Sequence, residues 1–155
     1  MKFTIRKAEE KDFPAILGLI KELASFENAG HKVTNSVKQM LEEQDSFNCL
    51  VVENQESEII AMALYYFTYF TWVGKSLYLD DLYVKEAYRG NQIGSKLIDE
   101  VFKVAKTTKC KRVRWQVLDW NENAINFYKK LGATIDKEWY NCDFDKEGIT
   151  SYKIA

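Results

Sequence analysis

Four groups of residues have types and spacing that could do chemistry. The run Glu86-Ala87-Tyr88-Arg89-Gly90-Asn91-Gln92-Ile93-Gly94-Ser95 leads from a strand-like segment into a helical one. The first amides of a helix have no partner inside it, and its dipole adds partial positive charge there. Such a turn suits an anion. Gly90 and Gly94 allow close backbone approach, and Arg89 offers a guanidinium. The pattern is neither a GxxxxGK[ST] loop nor a full GxGxxG fingerprint. Two glycines before a helix also serve as plain turn residues.

Asp80 and Asp81 form the second group, in the middle of an apolar strand-like run. Neighbouring strand residues face opposite sides, so one of the pair points inward or lies at a distortion. A buried carboxylate is costly unless paired or set in a wet cleft. Two readings follow: a bulge or strand end that exposes both, or a carboxylate that takes a proton or attracts a cation. Tyr128 is the third, on a helical face with Ala124, Ile125 and Leu131. It fits a core position, or a phenol that donates a proton at a cleft. Tyr65, Tyr66, Tyr69, Trp72 and Trp115 are the fourth. They read as core or dimer surface, or as walls of a slot for an alkyl-ammonium chain.

Other chemistries are disfavoured. The lone histidine, His31, lies in the polar stretch Asn28 to Lys32 and reads as a solvated loop residue. Cys49, Cys110 and Cys142 form no CxxC pair, so no structural zinc site or other metal is expected. They read as reduced thiols of a cytoplasmic protein, with Cys49 and Cys142 inside strand-like runs. No GxSxG elbow is present.

These residues need elements to position them. Phe3 to Lys7 alternates as a strand, and Phe13, Ile16, Leu17, Ile20, Leu23 and Ala24 share a helical face with Asp12 as N-cap. A shorter helix capped by Thr34 carries Val37, Met40 and Leu41. Strands are expected over Phe47 to Glu53, Ile59 to Phe70 and Ser76 to Val84. A helix with the stripe Ile93, Leu97, Ile98, Val101, Phe102 and Ala105 comes next, then a strand over Arg112 to Leu118. Asn121 caps a helix to Leu131, with Gly132 as its stop. Two further strand-like runs lie around Glu138 to Phe144 and Thr150 to Ile154. The order β-α-α-β-β-β-α-β-α-β-β implies an α/β fold. Its sheet is mixed and mostly antiparallel, flanked by helices, with a central parallel strand pair.

The 155 residues point to a single domain over 1–155. Lys plus Arg is 22 against 23 for Asp plus Glu, which argues against a nucleic-acid binder. No apolar run reaches the length of a membrane helix, and the N-terminus carries no secretory apolar stretch.

The turn Tyr88 to Ser95 resembles the acetyl-coenzyme A pyrophosphate motif, Q/R-x-x-G-x-G/A, of the GNAT N-acetyltransferases. The element order is similar over essentially the whole chain. More narrowly, the chain resembles the spermidine/spermine (diamine) and thialysine branch. The likeness rests on Ile20-Lys21-Glu22-Leu23-Ala24, on Tyr65-Tyr66-Phe67-Thr68-Tyr69 with Trp72, and on Leu77-Tyr78-Leu79-Asp80-Asp81. Leu118-Asp119-Trp120-Asn121 and Asn126-Phe127-Tyr128-Lys129 extend it.

This resemblance implies transfer of an acetyl group from acetyl-CoA to a primary amine of a small cationic substrate, and a homodimer. Backbone groups of Leu82, Tyr83 and Val84 would pair with the pantetheine arm. Arg89 and the amides of Gly90, Asn91, Gln92, Ile93, Gly94 and Ser95 would hold the pyrophosphate. Asn121, Glu122, Asn123 and Ala124 would line the cofactor. Tyr128 would be the acid near the thioester sulfur and Asp80 the base. Phe26, Glu27, Asp80, Arg114, Trp115 and Gln116 fall where that branch contacts its amine. Glu27, Asp80 and Asp119 would make a negative cleft.

Two positions depart from the pattern. Gln92 replaces the motif's first glycine, which works against a tight turn. Asp80 replaces a glutamate, one methylene shorter. The alternatives are another amine (an aminoglycoside or a protein terminus), a CoA sensor without activity, or a nucleotide-binding scaffold.

Overall fold

A computed structural model describes residues 2–155. The chain divides into two compact units, one through Gln116 and a second over Val117–Ala155. The first holds a five-stranded sheet in the order β1 (Phe3–Lys7), β2 (Asn48–Asn54), β3 (Ile59–Phe70), β4 (Gly74–Val84), β5 (Val113–Arg114). Its helices are α1 (Phe13–Phe26), α2 (Val37–Glu42) and α3 (Ile93–Thr107). The second unit holds α4 (Glu122–Lys130) and α5 (Lys146–Ser151).

Strands β1 to β4 pair antiparallel. β4 and β5 pair parallel through Leu77 with Val113 and Tyr78 with Arg114, and α3 makes the crossover between them. The expected mixed sheet with one parallel pair is therefore present. That pair stands at the sheet's edge and not at its centre, since among the described residues no strand follows β5.

Both faces of the sheet are covered. α1 and α2 bring Phe13, Ile16, Leu17, Leu19 and Met40 against Cys49, Val51, Met62, Leu64 and Tyr83. α3 packs on β3 and β4 and buries Ile93, Leu97, Ile98, Val101 and Ala105. Burial on both sides explains why Ile59 to Tyr65 reads as an unbroken apolar run rather than an alternating one.

Several expectations are corrected. Asp12 does not cap α1 with its side chain. Its carboxylate instead accepts from the Arg6 guanidinium at 2.7 Å and from the Glu9 amide at 2.8 Å. Arg6 also reaches Glu53 at 2.6 Å, which locks β1 to β2. Ser36, not Thr34, caps α2, its Oγ accepting from the Gln39 amide at 3.1 Å.

The strand expected over Arg112 to Leu118 shrinks to Val113–Arg114, and neither tail run forms a strand. Asp145 accepts from the Gly148 amide at 2.7 Å and starts α5 across the second of those runs. Cys142 is exposed, outside any strand. Alternating apolar residues record what a segment can pair with. They form a strand only where a neighbouring edge is paired to them.

Candidate functional site

The site begins with a break in the β3–β4 ladder. Leu64 pairs with Asp81 and Tyr65 with Leu79, so Asp80 is an extra residue on β4. This is a β-bulge. Without it Asp80 and Asp81 would face opposite sides. With it, Tyr78, Asp80, Asp81 and Tyr83 all turn to the α1 side of the sheet, as the Tyr83 side chain in that core shows. Tyr66 joins them, its ring stacked on Tyr78 at 5.4 Å and 17°.

Glu27 arrives from the end of α1, as its C-cap. It lies close enough to Asp81 to raise that carboxyl. The negative end of the α1 dipole adds to the same field. Burial, then Asp80, then Glu27 push Asp81 up to about 7. Burial among neighbouring atoms also lifts Asp80, although its edge reaches solvent. Glu27 is raised by burial alone. Burial, then Asp80, push the Tyr66 phenol up to about 12. Burial pushes the Cys49 thiol up to about 12, so it is no nucleophile at neutral pH. Three carboxylates thus share one corner, and among the described residues no cation is paired with them.

A second feature adjoins the first. β5 pairs with β4 only at Leu77 and Tyr78, so among the described residues no strand pairs with the outer edge of β4 beyond them. The Lys85 amide donates to Ile60 at 3.0 Å across the ladder. Backbone direction alternates along a strand, so Tyr83 also turns its backbone to β3, while Leu82 and Val84 turn theirs to the open edge. Arg89 Nε donates to the Val84 carbonyl there at 3.0 Å. Its guanidinium carbon lies 5.5 Å from the Tyr83 ring and 5.7 Å from Phe26.

The turn itself is built for exposed amides. Gly90 has φ +80°, a conformation that favours glycine. The Asn91 side chain donates to the Tyr88 and Arg89 carbonyls at 3.0 and 3.3 Å and braces the turn. Gln92 takes φ +59°, the left-handed region, where the motif has glycine. The tight turn therefore forms, with a side chain in a costly conformation. Lys96 donates to the Gln92 carbonyl at 3.1 Å as the first helical bond. Among the described residues, no acceptor meets the amides of Ile93, Gly94 and Ser95. A Cβ on Gly94 would meet only Val84 Cγ2, at 4.0 Å, an ordinary contact. The fold does not itself require glycine there, which suits a position kept open for a ligand.

Of the other expected substrate residues, Phe26 lies beside Arg89, and Arg114 lies 4.8 Å over the Phe70 ring. Trp115 is half-buried and Gln116 exposed, just beyond β5. In the second unit, Asn121 Oδ1 accepts from the Ala124 amide at 3.2 Å and caps α4. Glu122, Asn123 and Ala124 open that helix. Tyr128 is its buried residue, 5.4 Å from the Phe127 ring. Sequence reasoning placed the base at Asp80 and missed that Asp81 is the more perturbed of the two. The available signal was the acidic pair inside a strand, which implies a bulge.

Residues 5–133 match the sequence model of the Acetyltransferase (GNAT) family. The chain is 40% identical to a thialysine N-epsilon-acetyltransferase of Mus musculus over 159 residues, covering 94% of each. It is 36% identical to spermidine/spermine N(1)-acetyltransferase-like protein 1 of Homo sapiens, over 95% of this chain and 23% of that protein. Among solved structures, a transcriptional regulator from Bacillus halodurans C-125 superposes with a TM-score of 0.77 at 24% identity, over 92% of this chain and 100% of that one. An aminoglycoside acetyltransferase from an uncultured soil metagenomic sample gives 0.74 at 20%, over 92% and 95%. At these identities the solved structures speak to the fold alone.

Proposed function

The chain belongs to the acetyltransferase (GNAT) family, and on that premise we propose that it moves the acetyl group of acetyl-CoA to a primary amine of a small cation, a di- or polyamine or a thialysine-like amino acid. The observation that carries this reading is the juxtaposition on β4. An acidic corner at the bulge lies a few residues from an open strand edge and a turn of unpartnered amides. The two features suit the two ends of such a reaction, a cation and a diphosphate.

The residues fit the cofactor. The outward backbone of Leu82 and Val84 suits the amide-bearing pantetheine arm. The amides of Ile93, Gly94 and Ser95, behind Gly90 and Arg89, suit the diphosphate. Asn121 to Ala124 are assigned to the cofactor as well. Bound acetyl-CoA supplies the acyl group as a thioester.

The chain's own work is proton handling and alignment. An alkyl amine has a pKa near ~10.4 and must lose a proton before its nitrogen can attack. An ordinary carboxylate at ~3.9 is a poor acceptor. The Asp80–Asp81 pair, with Asp81 near 7, is better matched. The pair takes the first proton from the ammonium and passes it to solvent before attack. The nitrogen gives up a second proton once the C–N bond has formed in place of the C–S bond. Tyr128 would give its phenolic proton to the sulfur and be restored by that second proton, so that one proton is released overall. Alignment of the amine within the acidic corner supplies the remainder of the acceleration.

The family match runs across the boundary at Gln116, in line with one acetyltransferase domain over 1–155. A cytoplasmic homodimer accords with three free thiols and with Tyr69 and Trp72 exposed on the β3–β4 hairpin. Light scattering at twice the chain mass supports the dimer, and a single chain mass rejects it. None of the described helices is long and apolar enough to cross a membrane.

Free-thiol release from acetyl-CoA with putrescine, spermidine, lysine and thialysine tests the assignment. Turnover with at least one is expected. Tyr128→Phe lowers kcat by about tenfold or more while acetyl-CoA still binds. Binding without turnover on any amine contradicts the assignment and favours a non-catalytic sensor.

A further inference from the structure

The balance of charge over the whole chain averages over a sharp segregation. Neither residues 59–79 nor residues 101–118 contain an aspartate or glutamate, although the chain has 23 of them. These two stretches meet at one end of the sheet, near the β3–β4 hairpin. The Lys111 amide donates to the Lys75 carbonyl at 2.8 Å and the Leu77 amide to the Arg112 carbonyl at 3.0 Å, which seats the α3–β5 connection against the start of β4. Arg112 and Arg114 lie on the α1 side, their guanidinium carbons 5.0 and 4.8 Å from the Phe70 ring.

The opposite face of this end carries a row of rings and lysines. Tyr65, Leu77 and Leu79 face that side and are buried. Towards the hairpin tip the cover stops. Phe67 and Tyr69 share the parity of Tyr65, yet they are 39% and 73% exposed. Tyr69 pairs across the ladder with Lys75, whose Nζ lies 4.7 Å from the centre of the Phe67 ring. Lys106 in the last turn of α3 and Lys109 in the connection flank the row. Lys75, Lys106, Lys109 and Lys111 are exposed, and among the described residues none of them is paired with a carboxylate.

An acidic peptide would use the lysines and leave the ring faces unmatched. A single-stranded nucleic acid uses both, its phosphates against the cations and its bases against the rings. We propose that this end of the sheet, on the face opposite the acidic corner, binds single-stranded nucleic acid without sequence preference. Tyr69 stacks a base, and Lys75, Lys106, Lys109 and Lys111 hold the phosphates. The proposal goes beyond acetyl transfer and stands or falls without it.

Fluorescence anisotropy on the full-length protein tests it, with a labelled oligouridine of about 12 nucleotides and an abasic strand of equal length and charge. The oligouridine should bind at least about fivefold more tightly, the smallest usual worth of one stacked base. Its association constant should fall with salt at a log–log slope of about −3, for four phosphate contacts. Lys75→Gln with Lys111→Gln should reduce that slope by about 1.4. Tyr69→Ala should remove the preference over the abasic strand and leave the slope as it was. All three side chains are exposed, so the variants should fold, which circular dichroism checks. No binding at low salt, or equal binding of the two strands, overturns the proposal. So does a fall of the solution mass to one chain in Tyr69→Ala with no strand bound by the unmodified protein, which would give the face to a second copy. Amine turnover by the same preparation reads the acetyl-transfer assignment separately.

Discussion

The turn that opens α3 and the acidic corner at the end of α1 carry opposite charge by different means. The turn is made of backbone. Its positive character comes from amides that helix geometry leaves unused, and its shape from Gly90 and the left-handed Gln92. The corner is made of side chains. Its negative character comes from Glu27, Asp80 and Asp81, gathered from α1 and β4 by one extra residue in a strand. A backbone site tolerates side-chain change while the turn survives. A side-chain site fails when a single carboxylate is lost.

That contrast can be broken most forcefully at the corner. Asp80→Asn with Asp81→Asn should lower kcat/KM by about 10²–10⁴, the usual worth of a positioned base. In the unmodified protein kcat/KM should rise with pH through about 7, where Asp81 titrates. The Asp81→Asn variant should lose that limb. A pH–rate profile of both proteins checks this, and an unchanged profile would remove the pair from proton transfer.

The turn should resist substitution in its fold and yield in its function. Gly94→Asp adds a side chain whose Cβ meets only Val84 Cγ2, and an acid in the first helical turn is favourable there. The variant should therefore keep its Tm. Its carboxylate should repel a diphosphate and raise KM for acetyl-CoA by roughly tenfold, about 1.4 kcal/mol. A fall in Tm with KM unchanged would reverse the contrast.

The corner should also cost stability in a pH-dependent way. Folded Asp81 keeps its proton to about pH 7, whereas in the unfolded chain it releases it near ~3.9. The folded state thus holds more protons across that window, and this group's contribution to stability falls as pH rises from about 4 to about 7. Asp81→Asn, which cannot ionise, should raise Tm more at pH 8 than at pH 5. Melting curves at the two pH values decide the sign.

The smallest expected effect lies at Gln92. Its left-handed conformation costs about 1–2 kcal/mol, and glycine returns about 0.5–1 kcal/mol of that as chain entropy. Gln92→Gly should stabilise by about 0.5 kcal/mol, a rise in Tm of about 1–2 °C.

How much of this was legible follows the same division. The α3 turn could be read directly, because a strand-to-helix switch with Gly90 and Gly94 is local in the chain. The helical faces of α1 and α3 and the strands β1 to β4 were likewise local patterns. The acidic corner was only half legible. Two adjacent aspartates in a strand announce a distortion, yet their common face depends on the register between Leu64 and Asp81, which no local pattern encodes. The meeting of Arg112 and Arg114 on Phe70 was invisible for the same reason. The tail was misread because Tyr140, Cys142 and Phe144 alternate like strand residues without a strand forming there, and because the cap at Asp145 starts a helix over Lys146–Ser151.

The backbone of the turn can be watched directly. In the isotope-labelled protein, titration with coenzyme A should move the amide resonances of Ile93, Gly94 and Ser95 most, with those of Leu82 and Val84 next. Saturating perturbations elsewhere, with these five unmoved, would show that the diphosphate is held by other groups and that the account of this turn is wrong.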